Sequence, residues 1–213
     1  MGAIGRAWTR YRGRKTRKGI VVDFVFLAVV LTMAITPLRR SVMTYALRCI
    51  ISQPEAFKPI VFMGGKDSIA ARTADGRDTT LHFPPLRPAV LNSASVWSAQ
   101  SRAEMRSLDE AAGLWPDIDF YILTDEDEAQ DMVRYLTRKK YRHLRLLTFA
   151  PSGRQEGDDT ECTAIGAAND LRQNIPATIA VKTDGRVAIR KLGAAKWTGK
   201  RISEIYKQLT DNQ

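Results

Sequence analysis

The sequence predicts an α/β domain, a mixed sheet covered by helices, carried on a single N-terminal membrane helix. Three observations lead there. An apolar run from Gly19 to Pro37 follows a wholly basic leader. After residue 54 the hydrophobic pattern changes from a helical period to short strands. Beyond that point strands and helices alternate, the pattern of a sheet with crossover helices.

Charge divides the chain in the same place. Of the 213 residues, 1–18 contain seven basic side chains and no acid, and residues 19–53 add Arg39, Arg40 and Arg48 against Asp23. The net charge of +10 therefore belongs almost wholly to the first 53 residues, which leaves 54–213 with 23 basic and 22 acidic side chains. A nearly neutral domain without a basic stripe argues against nucleic-acid binding.

The run GIVVDFVFLAVVLTMAITP is just sufficient to cross a hydrocarbon core, which takes about 20 helical residues. Asp23 lies one turn in from Lys18, within reach of headgroups or a flanking cation. No A-x-A site follows, so a retained anchor is preferred to a cleaved signal peptide. Seven basic residues before the run and three after it place the N-terminus in the cytoplasm and the rest of the chain outside. The expected organisation is a basic cytoplasmic tail at 1–18, a transmembrane helix at 19–37, a membrane-proximal helix at 38–53 and a folded domain at 54–213. Such a chain is a single-pass inner-membrane protein whose domain faces the periplasm or another extracytoplasmic space, where disulfides persist.

Residues 38–53 place Val42, Met43, Ala46, Leu47, Ile50 and Ile51 at helical spacing, with Arg39, Arg40, Thr44 and Arg48 on the other side. This reads as an amphipathic helix lying at the membrane–water boundary or packing beneath the domain, and less readily as a partner-binding helix. Pro54 ends it. Ser68–Arg72 and Thr79–Phe83 flank an Asp75-Gly76 turn and read as a hairpin. Ala89–Ser95 lacks alternation, as a strand buried on both faces does. A helix is expected from Ser98 to Leu114, then a strand at Asp117–Thr124. Thr124 and Asp127 read as a capping box opening a helix that runs to about Lys140, with Ala129, Met132, Val133 and Leu136 inward. A strand at His143–Phe149, a polar loop at Pro151–Thr160 and a short helix near Ala164–Leu171 follow. Strands Ala177–Lys182 and Arg186–Leu192, joined at Asp184-Gly185, and a helix from Gly199 to Leu209 complete the chain.

The stretch Val96-Trp97-Ser98-Ala99-Gln100-Ser101-Arg102-Ala103-Glu104-Met105 carries the functional argument. It resembles the active-site segment of the membrane-anchored TlpA/ResA-like branch of the thioredoxin superfamily, Trp-Cys-x-x-Cys followed by Arg/Lys-x-Glu-aliphatic. The N-terminal anchor, the hairpin, the element order, the step Asn174-Ile175-Pro176-Ala177-Thr178 and the later Asp184-Gly185-Arg186 agree with it. The resemblance implies a thioredoxin-like fold: a central mixed sheet flanked by helices, with an N-terminal β-hairpin. It also implies a cis-proline at Pro176 that presents backbone to a bound polypeptide.

The departures define the expected function. Ser98 and Ser101 stand where the family has its cysteines. A hydroxyl has no accessible redox couple, so disulfide exchange is closed at this pair. Arg106 replaces a proline common in this helix, and Ser93 and Ala94 replace bulky aromatics. An engineered Cys→Ser change would account for the serines but not for these other differences. Glu104 matches a family position that tunes the cysteines and, without them, is left with helix capping: Ser101 and Glu104 form a capping box, while Ser98 suits a helix starting slightly earlier. Serine nucleophilic catalysis is disfavoured, because His82 and His143 are the only histidines and there is no G-x-S-x-G elbow.

No metal or cofactor is expected. The run Asp125–Glu128 and the basic Arg138-Lys139-Lys140 suit the two ends of one helix dipole, and Glu156-Gly157-Asp158-Asp159 reads as a solvated loop. Cys49 and Cys162 are the two cysteines. A redox role for Cys162 alone is disfavoured by its acidic neighbours. The expectation is thus a non-catalytic module whose groove, formed by Trp97, Ser98, Ser101, Ile175 and Pro176, takes an envelope polypeptide or a membrane-complex partner. The alternative is a thiol-disulfide oxidoreductase that uses one lone cysteine, or one inactivated by Cys→Ser substitution.

Overall fold

Seven short strands of the chain join into one sheet, seen here in a computed structural model that describes residues 21–23, 25–27, 38–57, 61–63, 68–149 and 170–211. The polar loop at Pro151–Thr160, nearly all of the short helix near Ala164–Leu171, Cys162 and most of the apolar run lie outside the described residues. Residues 21–23 and 25–27 have helical backbone. Among the described residues no helix is long and apolar enough to cross a membrane.

The chain divides into two compact units, Met1–Met43 and Thr44–Gln213. The second holds the latter part of helix α1 (Leu38–Ile50), then hairpin β1 (Ser68–Thr73) and β2 (Asp78–His82), β3 (Ala89–Ser93), α2 (Ala99–Leu114) and β4 (Asp119–Thr124). A 3-10 turn (Glu126–Glu128), α3 (Ala129–Lys139), β5 (Arg145–Phe149), β6 (Ala177–Val181), β7 (Val187–Leu192) and α4 (Lys200–Thr210) follow.

The spatial order is β2-β1-β5-β4-β3-β6-β7. β3, β4 and β5 run parallel, as the crossovers through α2 and α3 require, while both flanks are antiparallel. β3 lies inside the sheet between β4 and β6 and is buried throughout, which accounts for its lack of alternation. Its residues still divide between two cores: Val90 faces Met105, Leu108, Met132 and Tyr206 of the helices, whereas Leu91 joins Phe83, Leu123, Ile179 and Leu171 on the other face.

Two expectations change at element ends. Thr124 and Asp127 do not form a capping box: the segment opens with a 3-10 turn capped by no side chain, and α3 begins at Ala129. The acidic side chains are drawn away by other partners, Glu126 by Arg72 and Glu128 by Ser95 and Trp97. Met132 and Leu136 are buried as expected, but Val133 is exposed and Tyr135 is buried beside them. Glycine is required at the β6–β7 turn, where Gly185 has φ +85° and a Cβ would come within 2.3 Å of the Met63 carbonyl oxygen. That close approach lets Met63 N–H donate to the Gly185 carbonyl at 2.7 Å, fastening the segment before the hairpin to the turn.

Candidate functional site

The site is built where β3 ends and α2 begins. The parallel β3–β4 pairing stops at Ser93–Leu123, and the chain turns out through Ala94–Trp97 into α2. Ser98 is the N-cap of α2, extended at φ −71°, ψ 120°, and its Oγ accepts the Ser101 N–H at 3.2 Å. Ser101 lies inside the first turn, fully buried, and its Oγ accepts the Ser95 N–H at 3.3 Å. Each hydroxyl therefore satisfies a backbone donor in the loop or the helix start.

The capping box expected of Ser101 and Glu104 is absent, and the cap is Ser98. Glu104 points instead into the protein. It is completely buried, and its carboxylate accepts from Asn92 Nδ2 at 2.9 Å, from the Ala195 N–H at 3.0 Å and from Trp197 Nε1 at 3.0 Å. Burial pushes its pKa up to about 7, against the opposing pull of those three donors and of the Lys191 charge. Asn92 Nδ2 also donates to Thr178 Oγ1 at 2.7 Å, while Asn92 Oδ1 is buried with no hydrogen-bond partner among the described residues. Glu104 thus ties β3 to the loop before α4, and Asn92 carries the link on to β6. Asn92, Thr178 and Trp197 are residues that sequence reasoning missed. The unusual Asn92 within an apolar strand was the one available signal.

Trp97 is largely exposed, at 62%, and is held by its indole Nε1, which donates to Glu128 Oε1 at 2.6 Å. The other Glu128 oxygen accepts from Ser95 Oγ. In sequence Glu128 suits helix-dipole compensation, and in the fold it is the clamp that orients the exposed indole. Behind it Asp125 is shifted upward by burial and by the neighbouring Asp127 and Glu128 charges, with Arg172 opposing.

The Asn174–Ala177 turn reaches the same place from β6. Ser93 Oγ donates to the Asn174 carbonyl at 2.7 Å and accepts the Ala177 N–H at 2.9 Å. Ser93 pairs with Ala177 across the β3–β6 ladder, so Pro176 lies one step beyond, next to Ala94 and the loop that holds the serines. The Ile175–Pro176 peptide bond is cis. Pro176 is buried and its carbonyl accepts the Gly193 N–H at 2.8 Å, whereas the Ile175 backbone makes no hydrogen bond among the described residues. The fold therefore brings the Trp97–Ser101 segment and the Ile175–Pro176 step to one end of the sheet.

Neither histidine stands among the residues described around the serines. His82 ends the edge strand β2, and His143 stands 3.5 Å from Asp109. Among the described residues there is no cluster of His, Cys, Asp or Glu that could hold a metal ion. Cys49, the described cysteine, is exposed on α1 and unpaired by any disulfide.

No family model matches the chain, and no curated sequence matches it. Solved structures do. The chain is similar to a peroxiredoxin-like protein from Aquifex aeolicus, at 12% identity and TM-score 0.50 over 76% of this chain and 90% of that one. It is also similar to a thioredoxin-family thiol:disulfide interchange protein from Chlorobium tepidum TLS (14%, TM-score 0.50, 74% and 97%). A thio-disulfide isomerase from Thermus thermophilus matches at 19% identity and TM-score 0.50, over 72% and 96%. These likenesses, with the strand order and the β3–α2 crossover, give the class: the domain has a thioredoxin-like α/β fold with a mixed sheet.

Proposed function

We propose that this chain is a membrane-tethered, non-catalytic polypeptide-binding module, with its domain on the extracytoplasmic side and Ser98 and Ser101 in place of a redox cysteine pair. The observation that carries this reading is the occupation of both serine hydroxyls in backbone hydrogen bonds, beside an Ile175 main chain that has no hydrogen-bond partner among the described residues. An extended polypeptide laid along Ile175 gains main-chain hydrogen bonds there, and the exposed Trp97 indole supplies an apolar contact beside them. Such a module suits an assembly factor or a subunit of an envelope complex.

The reading is tested by isothermal titration of reduced, unfolded envelope polypeptides against the native chain and Trp97→Ala. Binding is expected, and loss of the indole should weaken it about tenfold, the usual cost of truncating an exposed aromatic anchor. Absence of binding with every polypeptide tried overturns the proposal. The second reading, a thiol-disulfide oxidoreductase, is favoured by the fold likeness and would rely on Cys49 or Cys162 alone. Insulin reduction separates the two. The native chain should show no turnover, while Ser98→Cys/Ser101→Cys should acquire it, since the helix N-terminus that Ser98 caps favours a thiolate. Turnover by the native chain would favour the second reading.

A further inference from the structure

Helix α1 meets the domain with its polar side. Thr44 is buried, and its Oγ1 accepts from Arg102 Nε at 3.3 Å. Arg48 donates through Nε to the Ala103 carbonyl and through a terminal nitrogen to the Arg102 carbonyl, both at 3.3 Å. The sequence sets Thr44 and Arg48 on the polar side, opposite the apolar residues expected to meet the membrane boundary or the domain. Inside the fold they face α2 instead, because Arg102 and the α2 carbonyls supply them with hydrogen-bond partners that an apolar face lacks.

From Val42 to Ile50 the consequence is an outward face without a charged side chain. At 100° per residue, Tyr45, Ala46, Cys49 and Ile50 fall on one arc of α1 opposite Thr44 and Arg48. All four are exposed, Tyr45 at 70% and Ile50 at 76%. A helix surrounded by water on that side carries the opposite pattern.

The chain itself indicates what covers this face. The apolar run ends at Pro37 and α1 begins at the next residue, Leu38, so no spacer separates them. Basic Arg39 and Arg40 open the helix in the sequence, the charge that suits anionic headgroups. We propose that the Tyr45, Ala46, Cys49 and Ile50 face of α1 seats in the headgroup–acyl boundary of a phospholipid bilayer. The inference rests on the membrane tether proposed above but not on polypeptide binding. Tyr45 has the amphipathic ring favoured at that depth, and an apolar helix face of this kind enters by about 5–10 Å. Because Arg102 also donates to the Val96 carbonyl, one side chain ties the seated helix to the loop bearing Trp97 and Ser98. The site is then held at a set height above the bilayer instead of swinging on a flexible tether.

The test uses the full chain in phosphatidylcholine–phosphatidylglycerol vesicles. Cys49 carries an environment-sensitive nitrobenzoxadiazole label in a Cys162→Ser background. A control carries the label at Arg77→Cys in the hairpin turn, with both native cysteines changed to serine. Doxyl-labelled lipids should quench the Cys49 label several-fold more than the control and leave its emission shifted to the blue. Ile50→Glu, a change at an exposed position, should bring the quenching down towards the control while the circular dichroism spectrum is unchanged. A Cys49 label as exposed to water as the control overturns the proposal, as does a chain that fails to float with the vesicles. Protection that rises with protein density without lipid quenching also overturns it, by assigning the face to a second copy of the chain.

Discussion

Glu104 shows how one residue changes meaning once its partners are known. In sequence it reads as part of a capping box, and in the fold it is a buried acid that gathers three donors from β3 and the loop before α4. An ordinary carboxyl titrates near 4.5, and this one near 7 when folded. Between those values the folded chain holds a proton that the unfolded chain has lost, so stability falls as pH rises from about 4.5 to about 7 and is level above. The shift corresponds to a decline of about 3 kcal/mol. Glu104→Gln should flatten that slope, because a neutral amide resembles the protonated acid and Asn92, with its amide turned over, offers the unpartnered Oδ1 to accept from it. Urea denaturation of both proteins from pH 5 to 8 is the measurement. Glu104→Ala should instead cost about 3 kcal/mol or more at every pH, since it strands buried donors. Ser98→Ala, by contrast, removes only a cap and should cost about 1 kcal/mol in the same assay.

Elements tell a similar story at longer range. The β6–β7 turn was expected at Asp184-Gly185 from composition alone, and it forms there with Gly185 at positive φ. What composition did not reveal is that Met63 packs against the missing side chain. Gly185→Ala therefore meets both a strained backbone conformation and the Met63 carbonyl, and should destabilise the domain by about 3 kcal/mol. Thermal unfolding checks this. A loss of under about 0.5 kcal/mol, the scale of ordinary surface changes, would mean that the segment before the hairpin is not held by the turn. The short strands and their order were legible because turn chemistry and apolar period are local. The direction in which α1 turns was not, since an amphipathic helix has a polar face whether that face meets water or another helix's carbonyls.

Across the whole molecule, charge and fold are segregated. The basic leader carries seven cations in its first 18 residues, while residues 54–213 are nearly balanced. Retention on an anionic heparin matrix should therefore follow the leader. Detergent-solubilised full-length chain is expected to elute at higher salt than the same chain lacking residues 1–18, which should be retained weakly or not at all. Equal retention would place the basic surface on the domain.

Sequence by itself determined the fold class, the strand and helix order, the place of the serines at the head of α2 and their lack of sulfur. Each of these follows from local periodicity, turn residues or side-chain chemistry, which need only a few neighbouring positions. Tertiary structure alone decided which hydroxyl caps the helix, that Glu104 is sunk among Asn92, Ala195 and Trp197, that Glu128 clamps Trp97, and that α1 turns its apolar side outward. Apart from the cap, which lies within a few residues, those outcomes depend on donors and acceptors 12 to 93 residues apart in the chain. Their meeting is set by the packing of the sheet and not by any pattern within one segment.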